Sequence, residues 1–410
     1  MPQHQRLNSS TWFLIISACL LLMLSFGYRS SYGLFVQPIS QANGWGRDVI
    51  ALALAIQNLS WGVVAVFAGG LADRFGNVKV ITGGALVYAG GLWFTAGVDS
   101  ELMLHTSAGL MVGAGIAGTA FGIVLPAMAR AVGEERRQWA LGVGTAAGSM
   151  GQFIMAPVAQ SLIGEFGWIS ALHLMAASAL VIAVLAMPLA PYSGLSEAHR
   201  SQVDQQSMRA ALKEALGHRS FLLLTFGFFV CGFHVAFITA HMPAFLFDAG
   251  FDPKIGAWSI ALIGLCNVFG AYIAGILSGR IPKRYVLSAI YIGRAIAITL
   301  FMLIPFSLTS VLVFSGVMGF LWLATVPPTS GLVAVMFGTR YMALLYGIVF
   351  LSHQIGSFSG VWLGGWLYEV KGNYDLLWWA GVVLGIAAAV IHWPIKEHPV
   401  ARLQAAQVTT

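Results

Sequence analysis

Apolar stretches of about 20 residues recur along nearly the whole chain, each long enough to cross a hydrocarbon layer of about 30 Å as a helix. Windows of about 19 residues, broken at charged and Gly/Pro-rich points, predict twelve spans. Six cover 12–36, 49–70, 78–97, 104–129, 139–163 and 168–189; six more cover 221–247, 255–277, 285–306, 310–337, 342–368 and 376–393. Between the two sets lies 191–219, the one extended polar stretch, with Glu197, Arg200, Asp204, Arg209, Lys213 and Glu214. It reads as a linker joining an amino-terminal bundle (1–190) to a carboxy-terminal bundle (220–410). Its second part, 208–216, is patterned as a short amphipathic helix on the membrane face. The first apolar stretch is longer than a signal-peptide core and lacks a small-residue cleavage site before the second, so it reads as a retained helix. The expected fold class is an all-α membrane protein of twelve transmembrane helices in two bundles.

Composition agrees. The chain is 58% hydrophobic and 9% charged, whereas a soluble domain is about a quarter charged. The net charge of +6 does not point to nucleic acid, because the basic residues are scattered through short loops and form no aromatic-interleaved patch. Their placement reports topology instead. With the amino terminus inside, sixteen of the 21 Lys and Arg fall on the cytoplasmic side, Arg47, Lys254 and Lys371 fall outside, and Arg29 and Arg294 lie within spans. That asymmetry predicts cytoplasmic termini and an even number of spans. Cys19, Cys231 and Cys266 sit in apolar stretches without metal-ligand spacing, so no metal or other cofactor is expected.

The halves repeat at a nearly constant offset, the mark of a duplicated bundle. Gly69-Gly70-Leu71-Ala72-Asp73-Arg74-Phe75-Gly76, after span two, matches the segment from Gly275 to Arg284 after span eight. Gly27-Tyr28-Arg29 with Pro38 nine residues on matches Gly232-Phe233-His234 with Pro243 nine residues on, which aligns Arg29 with His234. The twelve spans, the linker after six and the loop Gly69 to Gly76 resemble the major facilitator superfamily over essentially the whole chain. Within it, the stretch from Gly27 to Pro38 is similar to bacterial relatives of monocarboxylate and oxalate/formate carriers. Members of that group carry an arginine in span eight, where this chain offers Asn267. The resemblance implies a secondary carrier of the cytoplasmic (inner) membrane, working as a monomeric unit by alternating access. It also implies that Gly69, Asp73, Arg74 and Gly76 form a gating loop.

A charge near the bilayer centre costs about 2.5–3.5 kcal/mol even on forgiving scales, so intramembrane ionisable residues mark function by default. Arg29, deep in span one among Tyr28, Ser30, Ser31 and Tyr32, is the first candidate. All fifteen Asp and Glu residues fall in loops, linker or span ends, so the counter-ion of Arg29 is expected to arrive from solution, as an organic anion such as a carboxylate. The other reading is a structural arginine bonded to a neighbouring helix. His234 and His353 read either as interhelical hydrogen-bonding residues or as proton carriers. By the resemblance, His353 is the weaker counterpart of a basic residue in span eleven. Tyr28, Tyr32, Gln152 and Trp322 complete the expected substrate contacts, with ordinary helix packing as the alternative. Arg294, in span nine, reads as an anchor in the outer ring that the resemblance implies.

Other matches fail on context. Gly113-Ala114-Gly115-Ile116-Ala117-Gly118 spells a dinucleotide fingerprint inside an apolar span with no strand before it. No Walker loop supports ATP as the energy source, and neither a catalytic carboxylate pair nor a nucleophile with its base argues for an enzyme. Against the leading expectation, a carrier of a monocarboxylate-like anion driven by protons or by exchange, stands an exporter of amphipathic drugs or metabolites with an aromatic cavity. The expected partners are thus the organic anion, membrane lipid and protons.

Overall fold

The computed structural model describes residues 8–133, 136–192, 207–338 and 341–408. Among them, eleven helical segments are long and apolar enough to cross a membrane. The fifth, Trp139–Leu185, holds two crossings, because Gly167 leaves the helix at φ 78°, ψ 161°. A left-handed φ there favours glycine. The chain reverses at that point: His173 packs on Trp93 near the end of the third helix, and Tyr192 accepts from Asn77 at that helix's start. The crossings are therefore twelve: α1 (Ser9–Asn43), α2 (Arg47–Phe75), α3 (Asn77–Ala96), α4 (Glu101–Val132), α5 (137–166), α6 (168–185), α7 (Arg219–Asp248), α8 (Pro253–Arg280), α9 (Lys283–Leu303), α10 (Leu308–Phe337), α11 (Met342–Lys371) and α12 (Asp375–His392). The short helix expected after the linker is present as Met208–Leu216, capped by the Ser207 side chain. The linker residues before it lie outside the described set.

Within each half the helices approach through glycine. A side chain at Gly151 would collide with the backbone of Met23, and one at Gly356 with that of Phe229. These are the α5–α1 and α11–α7 contacts, repeated in the two halves, and close backbone approach is how helices pack where no hydrophobic force separates helix from lipid.

Three helices are interrupted. α1 tightens to a 3-10 turn at Tyr32–Phe35, just beyond Arg29. α4 breaks at Ala120, whose ψ is 179°, and α10 breaks between Leu321 and Val326. Pro327 and Pro328 explain the second break, since each lacks an N–H and clashes with the carbonyl four residues back. The two breaks occupy matching places in the repeat.

The halves meet along α2–α11 and α5–α8, again as a symmetric pair. Gln354 Nε2 donates to Asn58 O (2.9 Å), and Asn267 Nδ2 donates to Ser149 Oγ (2.8 Å) while Gln152 Nε2 donates to Ile260 O (2.9 Å). Between described residues, every hydrogen bond joining the halves lies from the middle of the bundle to the end remote from the termini.

Candidate substrate site

Arg29 is half-buried on α1, one turn before the 3-10 segment. Its Nη2 donates to Asn58 Oδ1 (3.1 Å), and its guanidinium carbon lies 4.8 Å from the Trp61 ring centroid. Among the described residues no carboxylate pairs with it; the ion pairs fall at Arg47, Lys283 and Arg402. The guanidinium faces a narrow concavity between the halves, lined by Tyr32, Gln57 and Asn58 on one side and Thr239 and Val361 on the other. Gln57 is fixed there by donating to Ala108 O (2.8 Å). A guanidinium without a carboxylate partner, a buried aromatic face and two carboxamides suit a small planar anion.

His353 reaches this site indirectly. Its Nδ1 lies 3.0 Å from Gln354 Oε1, and Gln354 spends its Nε2 on Asn58 O. A polar thread thus runs Arg29, Asn58, Gln354, His353 across the interface. His353 is buried between Phe228 and Phe350.

Tyr28, His234, Gln152 and Trp322 do not line the concavity. Tyr28 is fully buried and donates to Ser178 Oγ on α6 (2.8 Å). His234 is fully buried, with Nε2 2.8 Å from Gly381 O on α12. These two bonds are repeat equivalents, each tying the first helix of a half to its last, so the structure sets His234 in register with Tyr28 and not with Arg29. The sequence match slipped by one residue because its glycines, not its polar side chains, fixed the alignment. Gln152 is used up in fastening α5 to α8. Trp322 lies within the α10 break, where its carbonyl and that of Leu321 accept from Arg294. Tyr32 does line the site, and its hydroxyl donates to Thr95 (3.3 Å).

Arg294 is fully buried, and besides those carbonyls it contacts Cys231 Sγ (3.6 Å). It supplies donors that the broken helix has lost, and Asn267 Oδ1 completes the repair by accepting from Leu323 N (2.9 Å). Each buried carbonyl left unpaired costs about 1–3 kcal/mol. Arg294→Leu is therefore expected to lower the apparent melting temperature by several degrees, measured on purified protein in detergent.

In the loop after α2, Gly76 ends one helix and opens the next at φ 92°. Arg74 is exposed and lies over the ring of its neighbour Phe75 (5.2 Å), and nothing crowds Gly69. Asp73 falls in the last turn of α2, and its side chain is outside the described set.

At the end remote from the termini lies a cluster that sequence reasoning left among the loop charges. Arg47, at the start of α2, makes two bonds to Asp248 at the end of α7 (Nη1 2.5 Å, Nη2 2.7 Å). Its backbone N–H donates to Glu369 (2.6 Å), its Nη1 to the Tyr374 hydroxyl (3.2 Å), and its guanidinium sits 4.1 Å from the Tyr368 ring centroid. Burial pushes the Tyr374 hydroxyl up to about 12, so it stays protonated at any working pH. Asn58 and Gln57 were also missed, although a carboxamide pair inside an apolar span was a visible signal.

Two six-helix repeats that meet beside a guanidinium with no carboxylate partner among the described residues, with a charged clasp at one end, have the architecture of a membrane carrier. The family model for the Major Facilitator Superfamily matches residues 18–361 and, in a second match, 258–409. The chain belongs to that superfamily; it is a secondary transporter and not an enzyme. It is 24% identical to the uncharacterized MFS-type transporter YcxA of Bacillus subtilis (strain 168), over 93% of this chain and 94% of that protein. It is 25% identical to monocarboxylate transporter 13 of Rattus norvegicus, over 88% and 83%. In fold it is similar to a bacterial homologue of the human lysosomal transporter Spinster, solved inward-facing and unoccupied (TM-score 0.74, 14% identity, 94% and 96% covered). It is likewise similar to a D-xylose-proton symporter (TM-score 0.72, 15% identity, 95% and 99% covered).

Proposed function

We propose that this transporter moves a small organic anion, a monocarboxylate or a close relative, and that Arg29 holds its negative charge. The observation that carries the reading is the unpaired guanidinium facing the concavity between the halves. Such a group in a low-dielectric site strengthens sharply when a carboxylate arrives. The likeness to monocarboxylate transporter 13 favours the same substrate class. The distribution of basic residues favours cytoplasmic termini; with the termini inside, the Arg47 clasp is an outer gate, closed in this state. Substrate then enters or leaves from the cytoplasmic side until the halves rock.

The test is a thermal-shift screen of the purified protein against L-lactate, pyruvate and oxalate at pH 5.5 and pH 7.5, since a ligand of the folded state raises the apparent melting temperature. A shift that disappears in Arg29→Ala supports the reading; an equal shift in that variant ends it. His353 is the proton-carrying candidate on the same thread. In proteoliposomes, His353→Gln is expected to lose uptake driven by a proton gradient and to keep exchange of anion for anion. Equal loss of both modes would make His353 a packing residue.

A further inference from the structure

Asn58 is the one described residue bonded both to Arg29 and to the opposite half. Its side chain is oriented without ambiguity: Nδ2 donates to Leu54 O (2.8 Å), so the oxygen is the end left for Arg29. A carboxamide has one donor end and one acceptor end, and committing the first fixes the second. Its backbone carbonyl meanwhile accepts from Gln354 Nε2, which turns Gln354 Oε1 toward His353 Nδ1. Helix packing is tight at this level, because a side chain at Gly62, one turn on, would lie 2.7 Å from the Gln354 side chain.

The Asn58 oxygen therefore does for Arg29 what a carboxylate oxygen would do, with a partial charge in place of a full one. We propose that Asn58 stands in for the transported anion while the site is empty, and that its displacement from Arg29 on loading is transmitted to α11 through Gln354. This rests on the anion reading of Arg29 and goes beyond it by naming the residue that the anion must displace. A charged acceptor bonds a guanidinium roughly twice as strongly as a neutral one, so an arriving carboxylate displaces the amide oxygen. It would not displace a carboxylate of the protein's own. The nearly isosteric change Asn58→Asp should thus fill the site permanently, and Asn58→Leu should empty it of competition.

The experiment uses the full chain in nanodiscs, with L-lactate and oxalate as probe anions, and measures binding by calorimetry in the unmodified protein, Arg29→Ala, Asn58→Asp and Asn58→Leu. Expected is at least tenfold weaker binding in Asn58→Asp and at least threefold tighter binding in Asn58→Leu. Unchanged binding in Asn58→Asp alongside loss in Arg29→Ala overturns the stand-in role and leaves the anion site standing. Weaker binding in Asn58→Leu also overturns it, since the asparagine would then be a contact and not a competitor; this arm decides the matter even if Asn58→Asp does not fold. Binding retained in Arg29→Ala, or absent from the unmodified protein with both probes, defeats the anion reading itself.

Discussion

Arg29→Ala abolishes saturable anion uptake, and Arg29→Lys restores only a few per cent of it, in the outcome expected from the site's geometry. A hydrogen bond to a charged partner contributes about 1.5–3 kcal/mol, and a forked guanidinium makes two to one carboxylate, so losing it weakens binding by about 100-fold or more. Lysine keeps the charge but presents a point ammonium on a flexible stem. It would also lose the planar contact with Trp61, which holds the guanidinium at 4.8 Å. The measurement is initial uptake of labelled lactate into proteoliposomes, with insertion checked by the yield of folded protein. Uptake by Arg29→Lys within a factor of two of the unmodified protein would show that charge alone suffices and that no bidentate contact is made.

Asp248→Ala is expected to unfasten the end remote from the termini. The pair is partly exposed on the Asp248 side, at 30%, against 10% for Arg47, so its worth is discounted from that of a fully buried ion pair to about 2 kcal/mol. That still shifts the balance between the two open states roughly thirtyfold. Hydrogen exchange should accelerate in peptides spanning 33–41 and 243–253, which wall a second concavity between α1 and α7. Arg47→Ala should do the same. Exchange unchanged in both variants would mean that the clasp decorates the interface and does not hold it. A carrier turns over only if its two open states lie close in free energy, so either change should also lower the rate of uptake.

Much of the fold was legible because a bilayer leaves few options. Every backbone group has to be paired within its segment, so twelve apolar stretches could only be twelve helices, and the reversal at Gly167 lies between spans five and six as read from the sequence. The candidate site was legible at Arg29, since an ionisable group inside a span announces itself, and at Tyr32. Asn58 was in view but passed over, because a carboxamide in a span carries no charge penalty to set it apart. Nor did Arg47 and Asp248 stand out, which as loop-end charges look solvated until two distant helices bring them together. Tyr28 and His234 misled for one reason: polarity in a span shows that a side chain needs a partner, and says nothing of whether the partner is a solute or the next helix. Helix rotation decides that, and a one-residue slip in the repeat turns a side chain by about 100°.

The two interrupted helices are not equally bolted. In α10 the break is pinned by Arg294 on its carbonyls and by Asn267 on its amide, whereas beside the break in α4 the named support is a pair of hydroxyls, Ser25 with Thr119 at 2.8 Å. A cation and a carboxamide make a stiff joint, and two hydroxyls make a yielding one. The α4 break is therefore expected to be the softer of the two, with faster hydrogen exchange around Ala120 than around Leu323; equal exchange at both would mean that the extra bonds in α10 do not stiffen it.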